Sequence, residues 1–418
     1  MQDGVVTSPT ILIGADDRTG ALEAAGAVAD AVGRRVAVVV GVDRLDEAPD
    51  DSVAVVVDIG TRHLTPAAAA RRARDLDAVP ARQHVHKIDS TLRGNWAHEL
   101  LARLASGARP VLLVPALPAL GRICRDGLVL VDGHPVVNGP AGRDPLAPPV
   151  SSRPADVLVS AGARAGDVVH VTPATVGEWV LRPVGVAVCD ASTDHEVEAI
   201  ALMAVDRPDV LLAGTSAMAS AAVACSRRRA EPGFAAATAL AAPTSALTLV
   251  VCGSLHPLVF EQVRRAVTRG SATVIASPIP NGVTDGVPDG VSDGVSDVVN
   301  DRVVPDARNG GPLQPVIVLS PPRGPGPVDP VEAASMARHL AARARELERV
   351  LDPDVLVIIG GDTPAAVLGH DTMVMGGTVT PGAPWGCRVG HDRPVITRAG
   401  GFGGPDALVE LLWGTLRP

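Results

Sequence analysis

Two adjacent carboxylates follow the first apolar run of the sequence. The run at 10–15 is of strand type, and Asp16 and Asp17 come directly after it, ahead of Gly20 and an Ala-rich stretch that predicts a helix ending near Gly33. In an open parallel sheet, ligands bind beyond the carboxyl ends of the strands. Carboxylates there can accept hydrogen bonds from ligand hydroxyls, and one of them can draw a proton from a hydroxyl nucleophile. Helix capping would explain one acidic residue but not two, so we expect a functional role.

The stretch 86–95, HKIDSTLRGN, delivers many polar side chains into one turn after a further apolar strand. Its polar members include Lys87, Asp89, Ser90, Thr91, Arg93 and Asn95. Such a density of donors suits an oxyanion-rich ligand, either a carboxylate or a phosphate. A solvated, self-capped turn is the alternative. Lys87, however, is the only lysine among the 37 lysine and arginine residues of the chain, and this mildly favours a function for it.

A proline-bounded loop adds a third group of candidate residues. Pro115 and Pro118 follow an apolar strand, and Gly121 and Arg122 come next in the segment 115–133. Prolines restrict the backbone, so the segment predicts a rigid loop that carries a cation. A substrate contact by Arg122 and a purely structural loop with an exposed arginine both remain open.

Glycine-containing turns follow three apolar strands in the second half of the sequence. They are Gly253-Ser254, Gly360-Gly361-Asp362-Thr363, and the loop with Gly400, Gly401 and Gly403. Glycine lets a phosphate approach main-chain N–H groups, and the N-terminus of a following helix adds a positive dipole end. Three such turns within one candidate domain indicate a nucleotide crevice. The sequence has no GxxxxGK(S/T), no protein-kinase signature and no GxGxxG after its first strand, which argues against P-loop, protein-kinase and dinucleotide-binding proteins.

The elements that must position these residues are predicted to be of the α/β class. Strands that alternate with helices and consist of near-continuous apolar runs indicate parallel sheets. Since 418 residues exceed the usual size of one domain, we expect two domains, 10–235 and 247–418. Each would have a largely parallel sheet flanked by helices, with the active site in the cleft between them.

A repeat of the form DGVx occupies 281–300. With its Pro-rich flanks it predicts a surface insertion or flexible loop over about 278–330. It lacks the DxDxDG spacing of a calcium-binding EF-hand. The stretch 332–351 that follows predicts an amphipathic helix.

Composition and charge narrow the class of protein. The net charge is −9 and 46% of residues are apolar, and the mean hydropathy is +0.25. Global disorder is therefore excluded, and an acidic chain is not expected to bind nucleic acid or an anionic membrane. No apolar run predicts a membrane span, the N-terminus does not resemble a signal peptide, and five scattered cysteines suit a reducing cytoplasm.

Taken together, these segments resemble the four-carbon acid sugar kinase family over nearly the whole chain. The stretches that carry the resemblance are GADDRTGA, DIGTRHL with Arg62, HKIDSTLRGN, VPALPALGR, RDPLAPPVSS, GTSAMAS, VCGSLHP, GGDTPAAVL, TPGAPW and RAGGFG. The resemblance implies an N-terminal sugar-acid-binding domain and a C-terminal nucleotide-binding domain. It also implies that the γ-phosphate of ATP is transferred to the terminal hydroxyl of a four-carbon sugar acid. The KIDSTLRGN form favours threonate or erythronate over a 3-oxo-tetronate.

The resemblance also implies roles for individual residues. Asp16, Asp17 and Lys87 would be catalytic. Arg62, Asp89 and Arg93 would bind the substrate, and from the residue pattern we expect Ser90, Asn95 and Arg122 to bind it as well. ATP would be bound by Ser254, Gly360, Gly361, Asp362, Thr363, Gly400, Gly401 and Gly403. Mg²⁺ is expected with the nucleotide, with Asp362 as a contact through water, whereas the sequence identifies no metal ligand set. The expected partners are a small sugar acid and ATP, and whether the chain forms a homo-oligomer stays open.

Two alternatives to a kinase remain at this point. In the first, Lys87 forms a Schiff base, as in an aldolase or another lyase, or in an enzyme that uses pyridoxal phosphate. In the second, the chain is a non-catalytic sensor that binds a sugar acid and a nucleotide without turnover.

Overall fold

The computed structural model of the protein describes residues 11–107, 109–144, 146–231, 247–269, 272–276, 316–320 and 330–416. They fall into two compact units, and the short segment Thr372–Gly377 belongs with the first unit although it lies late in the sequence. The DGVx repeat, for which the sequence predicts a surface insertion or flexible loop, lies outside the described residues. No helix in these ranges combines the length and apolar character that a membrane span requires.

The first unit alternates strands and helices, as the sequence predicts. Its strands are β1 (Ile11–Ala15), β2 (Val36–Val40), β3 (Val55–Asp58), β4 (Gln83–Lys87), β5 (Val111–Val114), β6 (Arg122–Arg125), β7 (Leu128–Val131), β8 (His134–Pro135), β9 (Val168–Val171), β10 (Val186–Cys189) and β11 (Leu211–Gly214). Its helices are α1 (Arg18–Val32), α2 (Pro66–Asp75), α3 (Trp96–Gly107), α4 (Pro154–Ser160), α5 (Val176–Leu181), α6 (Asp194–Ala204) and α7 (Ser216–Ala230).

The main sheet of this unit is parallel in the order β2-β3-β1-β4-β11-β5-β10-β9. Because its strands run in one direction, all their carboxyl ends meet at one edge of the sheet. Strand β1 lies in the middle, so the residues after Ala15 are flanked by those after Asp58 and those after Lys87. This edge therefore collects the loops that hold the predicted polar residues.

Helix α1 shows how the sequence fixes the backbone at this edge. Asp17 caps the helix, since its side chain accepts a hydrogen bond from the amide of Gly20. The helix ends at Gly33, whose left-handed φ of 59° is easily adopted only by a residue without a side chain. Alanines and small residues between these caps are buried, which lets α1 pack closely against the sheet and α7.

A small antiparallel sheet begins at Arg122, within the segment 115–133 for which the sequence predicts a rigid loop. Strands β6, β7 and β8 pair in that order. A tight turn with left-handed backbone at Asp126 (φ 51°) and Gly127 (φ 67°) joins β6 to β7. The prediction of a loop was wrong here because an Asp-Gly turn between two apolar runs specifies a hairpin. The sheet fixes Arg122 at the start of β6.

A buried polar network lies between β4 and α3. The guanidinium of Arg103 donates to Nδ1 of His84 (3.0 Å), to Nδ1 of His86 (3.3 Å) and to Asp77 (2.8 Å). Nε2 of His86 is 2.9 Å from a carboxylate oxygen of Glu99. Alternate residues of a strand face opposite sides of the sheet, so this network and Lys87 lie on opposite faces of β4.

The network predicts a dependence of stability on pH. Burial lowers the pKa of His84 to about 4, helped by the charge of Arg103. Between pH 6.5 and 4 the unfolded chain therefore binds more protons than the folded one, and the free energy of unfolding falls as pH falls. The His84→Gln variant should lack this contribution, so its stability should decline less over this range, by up to about 3 kcal/mol. Chemical denaturation at pH 7 and pH 4.5 measures the difference, and parallel pH profiles would contradict it.

The second unit also contains strands that alternate with helices. Its strands are β12 (Thr248–Cys252), β13 (Ala272–Ala276), β14 (Val316–Ser320), β15 (Val355–Ile359), β16 (Met373–Thr380, which begins in the first unit), β17 (Ala383–Arg388) and β18 (Pro394–Arg398). Its helices are α8 (Pro257–Thr268), α9 (Pro330–Leu351), α10 (Thr363–Leu368) and α11 (Ala407–Val409), which is followed by a π-helical segment, Glu410–Thr415.

Strands β13, β14, β12, β15 and β18 are parallel in that order, and β17 pairs antiparallel with β18. Strand β14 corrects one boundary, because the insertion predicted over 278–330 does not extend through Val316–Ser320. That stretch is an apolar, β-branched run, and it lies as a buried strand between two others.

Candidate functional site

Three carboxylates and one arginine meet at the carboxyl edge of the first sheet. Nε and Nη2 of Arg62 donate to the two carboxylate oxygens of Asp16 at 2.8 and 2.9 Å. Nη1 of the same guanidinium donates to Asp17 at 2.6 Å, and Asp89 lies 3.5 Å from Nη2. These four side chains are at least nine-tenths buried. Burial opposes the charge of Arg62, yet Asp16 and Asp17 outweigh it and hold its pKa well above the ordinary value.

The main chain also anchors this cluster. The carbonyl of Asp16 accepts hydrogen bonds from the amides of Thr61 and Arg62 at 2.8 and 3.1 Å. The side-chain amide of Asn95 donates to the carbonyls of Thr61 (2.8 Å) and Leu64 (2.9 Å). The loop that carries Arg62 is thus tied to β1 on one side and to the turn before α3 on the other. Asn95, expected to bind the substrate, uses its amide donors on the main chain.

Asp17 differs from Asp89 in its electrostatic surroundings. Burial raises the pKa of Asp17, and the charge of Arg62 offsets only part of this effect. Burial also acts on Asp89, but Arg93 and Arg62 outweigh it and hold the pKa of Asp89 well below its usual range. A carboxylate with a raised pKa is the better proton acceptor of the two. Asp17 therefore suits a general base, and Asp89 suits a fixed negative charge.

Asp89 organises the turn that follows β4. It accepts hydrogen bonds from the amide of Arg93 (3.2 Å), from Nε of Arg93 (3.0 Å) and from the hydroxyl of Thr91. Arg93 also donates to Asp144 at 3.0 Å. The hydroxyl of Ser90 accepts from Nη1 of Arg122 at 2.6 Å. All the residues predicted from the first half of the sequence therefore lie in one connected edge, together with Asp144, which the sequence analysis did not single out.

Lys87 ends β4 and reaches the first turn of α1. A Cβ atom on Gly20 would lie 2.3 Å from Nζ of Lys87 and 2.6 Å from Oδ1 of Asp17, so only a glycine leaves room for the ammonium. Lys87 is 2% exposed. Within the described ranges its side chain makes no hydrogen bond, and its charge lowers the pKa values of the nearby carboxyls of Asp17 and Asp89. An ammonium has three donors, and an anionic ligand would accept hydrogen bonds from them.

The glycine turns of the second unit converge at the carboxyl ends of β12, β15 and β18. A Cβ on Gly400 would lie 2.2 Å from Oγ of Ser254, and one on Gly253 would lie 2.3 Å from Oγ1 of Thr363. Gly401, with a left-handed φ of 95°, lies against the ring of His256, which caps α8. In each of these contacts the main chain of a glycine lies against a side chain of another loop. Any larger residue in place of the glycine would block the contact, so the three loops lie side by side.

Other predicted residues of this unit lie at the same edge. Gly361 and Asp362 are exposed just before α10, and Gly403, at a left-handed φ of 77°, follows Gly401 in the third loop. Beneath the loops, the buried Arg398 at the end of β18 donates to Gln262. Burial lowers the pKa of Arg398. The carboxylate and main-chain donor groups of this edge suit a phosphate chain with a divalent cation.

The sequence analysis assigned no site role to three polar residues near the first edge. Glu23 accepts a hydrogen bond from Ser216 at 2.8 Å. Arg18 is a buried cation whose charge lowers the pKa of Asp58, although burial dominates and raises that pKa to about 6. Glu23 could have been found by its spacing of three from Gly20, and Ser216 by its place after a strand.

Across the described ranges, no group of three or more His, Cys, Asp or Glu side chains is arranged to hold a metal ion.

Comparison with known proteins bears on both units. A family model described as a sugar-binding N-terminal domain matches residues 11–222, and one described as a nucleotide-binding C-terminal domain matches residues 249–408. Among solved structures, one described as a putative tRNA synthase from Salmonella typhimurium LT2 shares the fold, with a TM-score of 0.69 and 18% identity. The match covers 97% of this chain and 99% of that one.

Characterised relatives extend the match to whole chains. A D-threonate kinase of Bordetella bronchiseptica is 29% identical over 84% of this chain and 84% of its own length. A 3-oxo-tetronate kinase of Brucella melitensis is 26% identical over 93% of this chain and 92% of its own length. The two matching domains, in this order and covering both units, show that the chain belongs to the four-carbon acid sugar kinase family.

Proposed function

We propose that this protein transfers the γ-phosphoryl group of ATP to the terminal hydroxyl of a four-carbon sugar acid of the threonate or erythronate type. The observation that carries the proposal is the buried ammonium of Lys87 close to the carboxylate of Asp17, within the part of the chain that matches a sugar-binding domain. A base and a cation at one sheet edge suit a hydroxyl that must lose a proton while it meets an anionic phosphoryl group. The D-threonate kinase relatives support the choice of acid.

Each acidic or basic group of the first edge has a distinct role in this proposal. Asp17 accepts the proton of the terminal hydroxyl, and Asp16 and Arg62 hold Asp17 in place. Lys87 neutralises charge on the phosphoryl group in transit. Arg62 and Arg93, on either side of Asp89, attract the carboxylate of the acid. Positioning and charge neutralisation then account for catalysis, as expected for phosphoryl transfer.

The second unit would bind the nucleotide. Main-chain N–H groups next to Ser254, Gly360 and Gly400 would contact the phosphates, because the glycines let these turns lie against one another at one edge. Mg²⁺ bound with the nucleotide would supply charge neutralisation at the phosphates. Asp362, an exposed carboxylate at this edge, would hold it through water. The proposal also requires the two units to form one reaction cleft in the working enzyme, since the acceptor oxygen must approach the γ-phosphorus in line.

The test is ATP consumption over a panel of four-carbon sugar acids with Mg²⁺, with the phosphorylated position read by NMR. We expect turnover with threonate or erythronate and a phosphate on the terminal oxygen. Ligand binding without turnover would indicate a sensor instead. Borohydride trapping of a substrate or cofactor on Lys87, without ATP consumption, would indicate a Schiff-base enzyme.

The proposed nucleotide site predicts the effect of a glycine substitution on the KM for ATP. Gly400→Ala should raise the KM for ATP about tenfold or more, because the new Cβ would lie 2.2 Å from Oγ of Ser254 and displace it, and overpacking of this kind costs about 1–3 kcal/mol. The KM for the sugar acid should change little. Gly404→Ala is the matched control, since no atom lies within 4 Å of its new Cβ. Equal KM values for ATP in the two variants would contradict the placement of the phosphates.

A further inference from the structure

A second polar cluster borders Lys87 and has no part in the steps above. It consists of Glu23 on α1, Ser216 at the start of α7, Arg122 at the start of β6 and Ser90. The hydroxyl of Ser216 donates to Oε1 of Glu23 at 2.8 Å, and Nη1 of Arg122 donates to the hydroxyl of Ser90 at 2.6 Å. Four separate elements therefore contribute to it.

The cluster lies next to the position proposed for the reacting hydroxyl. Gly20 and Glu23 are three residues apart, so they share one face of α1 at a separation of roughly 5–6 Å, and Nζ of Lys87 lies against Gly20. Side chains on a helix lean toward its N-terminus, so Glu23 leans toward the turn that Lys87 contacts. Gly214 pairs with Lys87 between β11 and β4, which brings Ser216 to the same edge.

The electrostatics of the cluster are complementary. Burial lowers the pKa of Arg122, and the negative charges of Glu23 and Asp89 offset part of that effect. Glu23 and Arg122 are thus close enough to interact. An ionised carboxylate can only accept hydrogen bonds, and a guanidinium can only donate them. A ligand between them must offer a donor on one side and an acceptor on the other.

We propose that Glu23, oriented by Ser216, accepts a hydrogen bond from the C3 hydroxyl of the sugar acid, and that it makes this enzyme specific for hydroxylated rather than 3-oxo acids. The inference rests on the proposed function and names the substrate class of that same site. A C3 hydroxyl can donate to the carboxylate. A C3 carbonyl has no proton to donate, and its oxygen would face the negative charge of Glu23 at close range.

The expected ratio of kcat/KM between the two acids follows from how strongly enzyme pockets discriminate for a substrate hydroxyl. A pocket built to hydrogen-bond a substrate hydroxyl can reject an analogue that lacks it by about 10⁴-fold or more. Glu23 is partly exposed, so water can satisfy some of its lost bonding. We therefore expect kcat/KM for D-threonate to exceed that for 3-oxo-tetronate by at least about 100-fold.

The test compares these two acids in the wild type and in Glu23→Gln. The amide is isosteric and can donate to a carbonyl, so the threonate-to-oxo-acid ratio of kcat/KM should fall at least about tenfold. Ser216→Ala, which removes only the hydroxyl that orients Glu23, should lower the ratio less. Glu198→Gln is the matched control, because Glu198 is an exposed carboxylate of the same unit paired with Arg228, and its ratio should equal that of the wild type.

The outcomes separate this inference from the function on which it rests. A wild type that phosphorylates both acids equally, or that prefers the oxo acid, overturns the role of Glu23 and leaves the kinase intact. The same holds if the ratio is unchanged in both Glu23→Gln and Ser216→Ala. A wild type that phosphorylates no four-carbon acid overturns the proposed function itself.

Discussion

Replacing Lys87 with arginine is expected to lower kcat about 100- to 1,000-fold while the positive charge is retained. The ammonium lies against Gly20, where a single extra Cβ would come within 2.3 Å of Nζ. A guanidinium is larger and planar, so it cannot occupy this space and present its charge in the same direction. The loss should fall on kcat more than on KM, because the charge of Lys87 is needed most while the phosphoryl group is in transit.

Two further measurements distinguish position from charge at Lys87. Gly20→Ala keeps the lysine, but its Cβ would displace both the ammonium of Lys87 and Oδ1 of Asp17. It should therefore lower kcat and also lower the stability that the Asp17 cap gives to α1. Lys87 is also the only lysine of the chain. Reductive methylation therefore reports on one side-chain amine, and substrate should protect it. Near-normal turnover in Lys87→Arg would refute the assigned role.

The sequence predicted the polar ends of β1 and β4 because their signals are local. An apolar run followed at once by Asp16-Asp17, and another followed by the KIDS stretch, place those residues at strand ends without any knowledge of the sheet order. The order itself then brings them together, since β1 pairs with β4 over their whole length. The prediction succeeded here because the residues that mark the ends of β1 and β4 in the sequence are the same residues that form the candidate site.

Prediction failed where the signal was short or came from distant parts of the chain. The Asp126-Gly127 turn that specifies the β6–β7 hairpin is a local signal that the proline-rich surroundings obscured. The ion pairs of Arg62 could not be found from spacing, because they depend on the pairing of β3 with β1, 46 residues apart along the chain. The contact between Glu23 and Ser216 joins residues 193 apart, and only the packing of α1 against α7 creates it.

Arg62→Met is expected to lower the free energy of unfolding by about 3–5 kcal/mol. The substitution removes the cation shared by Asp16 and Asp17 and leaves both carboxylates buried. A buried charge that loses its partner retains the cost of desolvation without the compensating attraction. Arg72→Met is the matched control, because Arg72 bonds the same loop through the carbonyl of Ile59 but is exposed. It should cost less than about 1 kcal/mol.

The free energy of unfolding of Arg62→Met is also expected to depend on pH in a distinctive way. Burial already raises the pKa of Asp17 with Arg62 present, and loss of the cation should raise it further. A carboxylate whose pKa is higher in the folded than in the unfolded state destabilises the fold at neutral pH, and this cost disappears as the pH falls through the folded-state value. The deficit of Arg62→Met relative to the wild type should therefore be largest near pH 7 and shrink on acidification.

Adding Asp16→Asn to Arg62→Met should recover part of the stability at pH 7, since one of the two unpaired charges is removed. The recovery should exceed any gain from Asp16→Asn alone, which in the wild type deletes a bidentate partner of Arg62. A double-mutant cycle measures this coupling. If the two substitutions were additive and the deficit were independent of pH, the cluster would owe its stability to packing rather than to charge, and the proposed orientation of Asp17 by Arg62 would lose its basis.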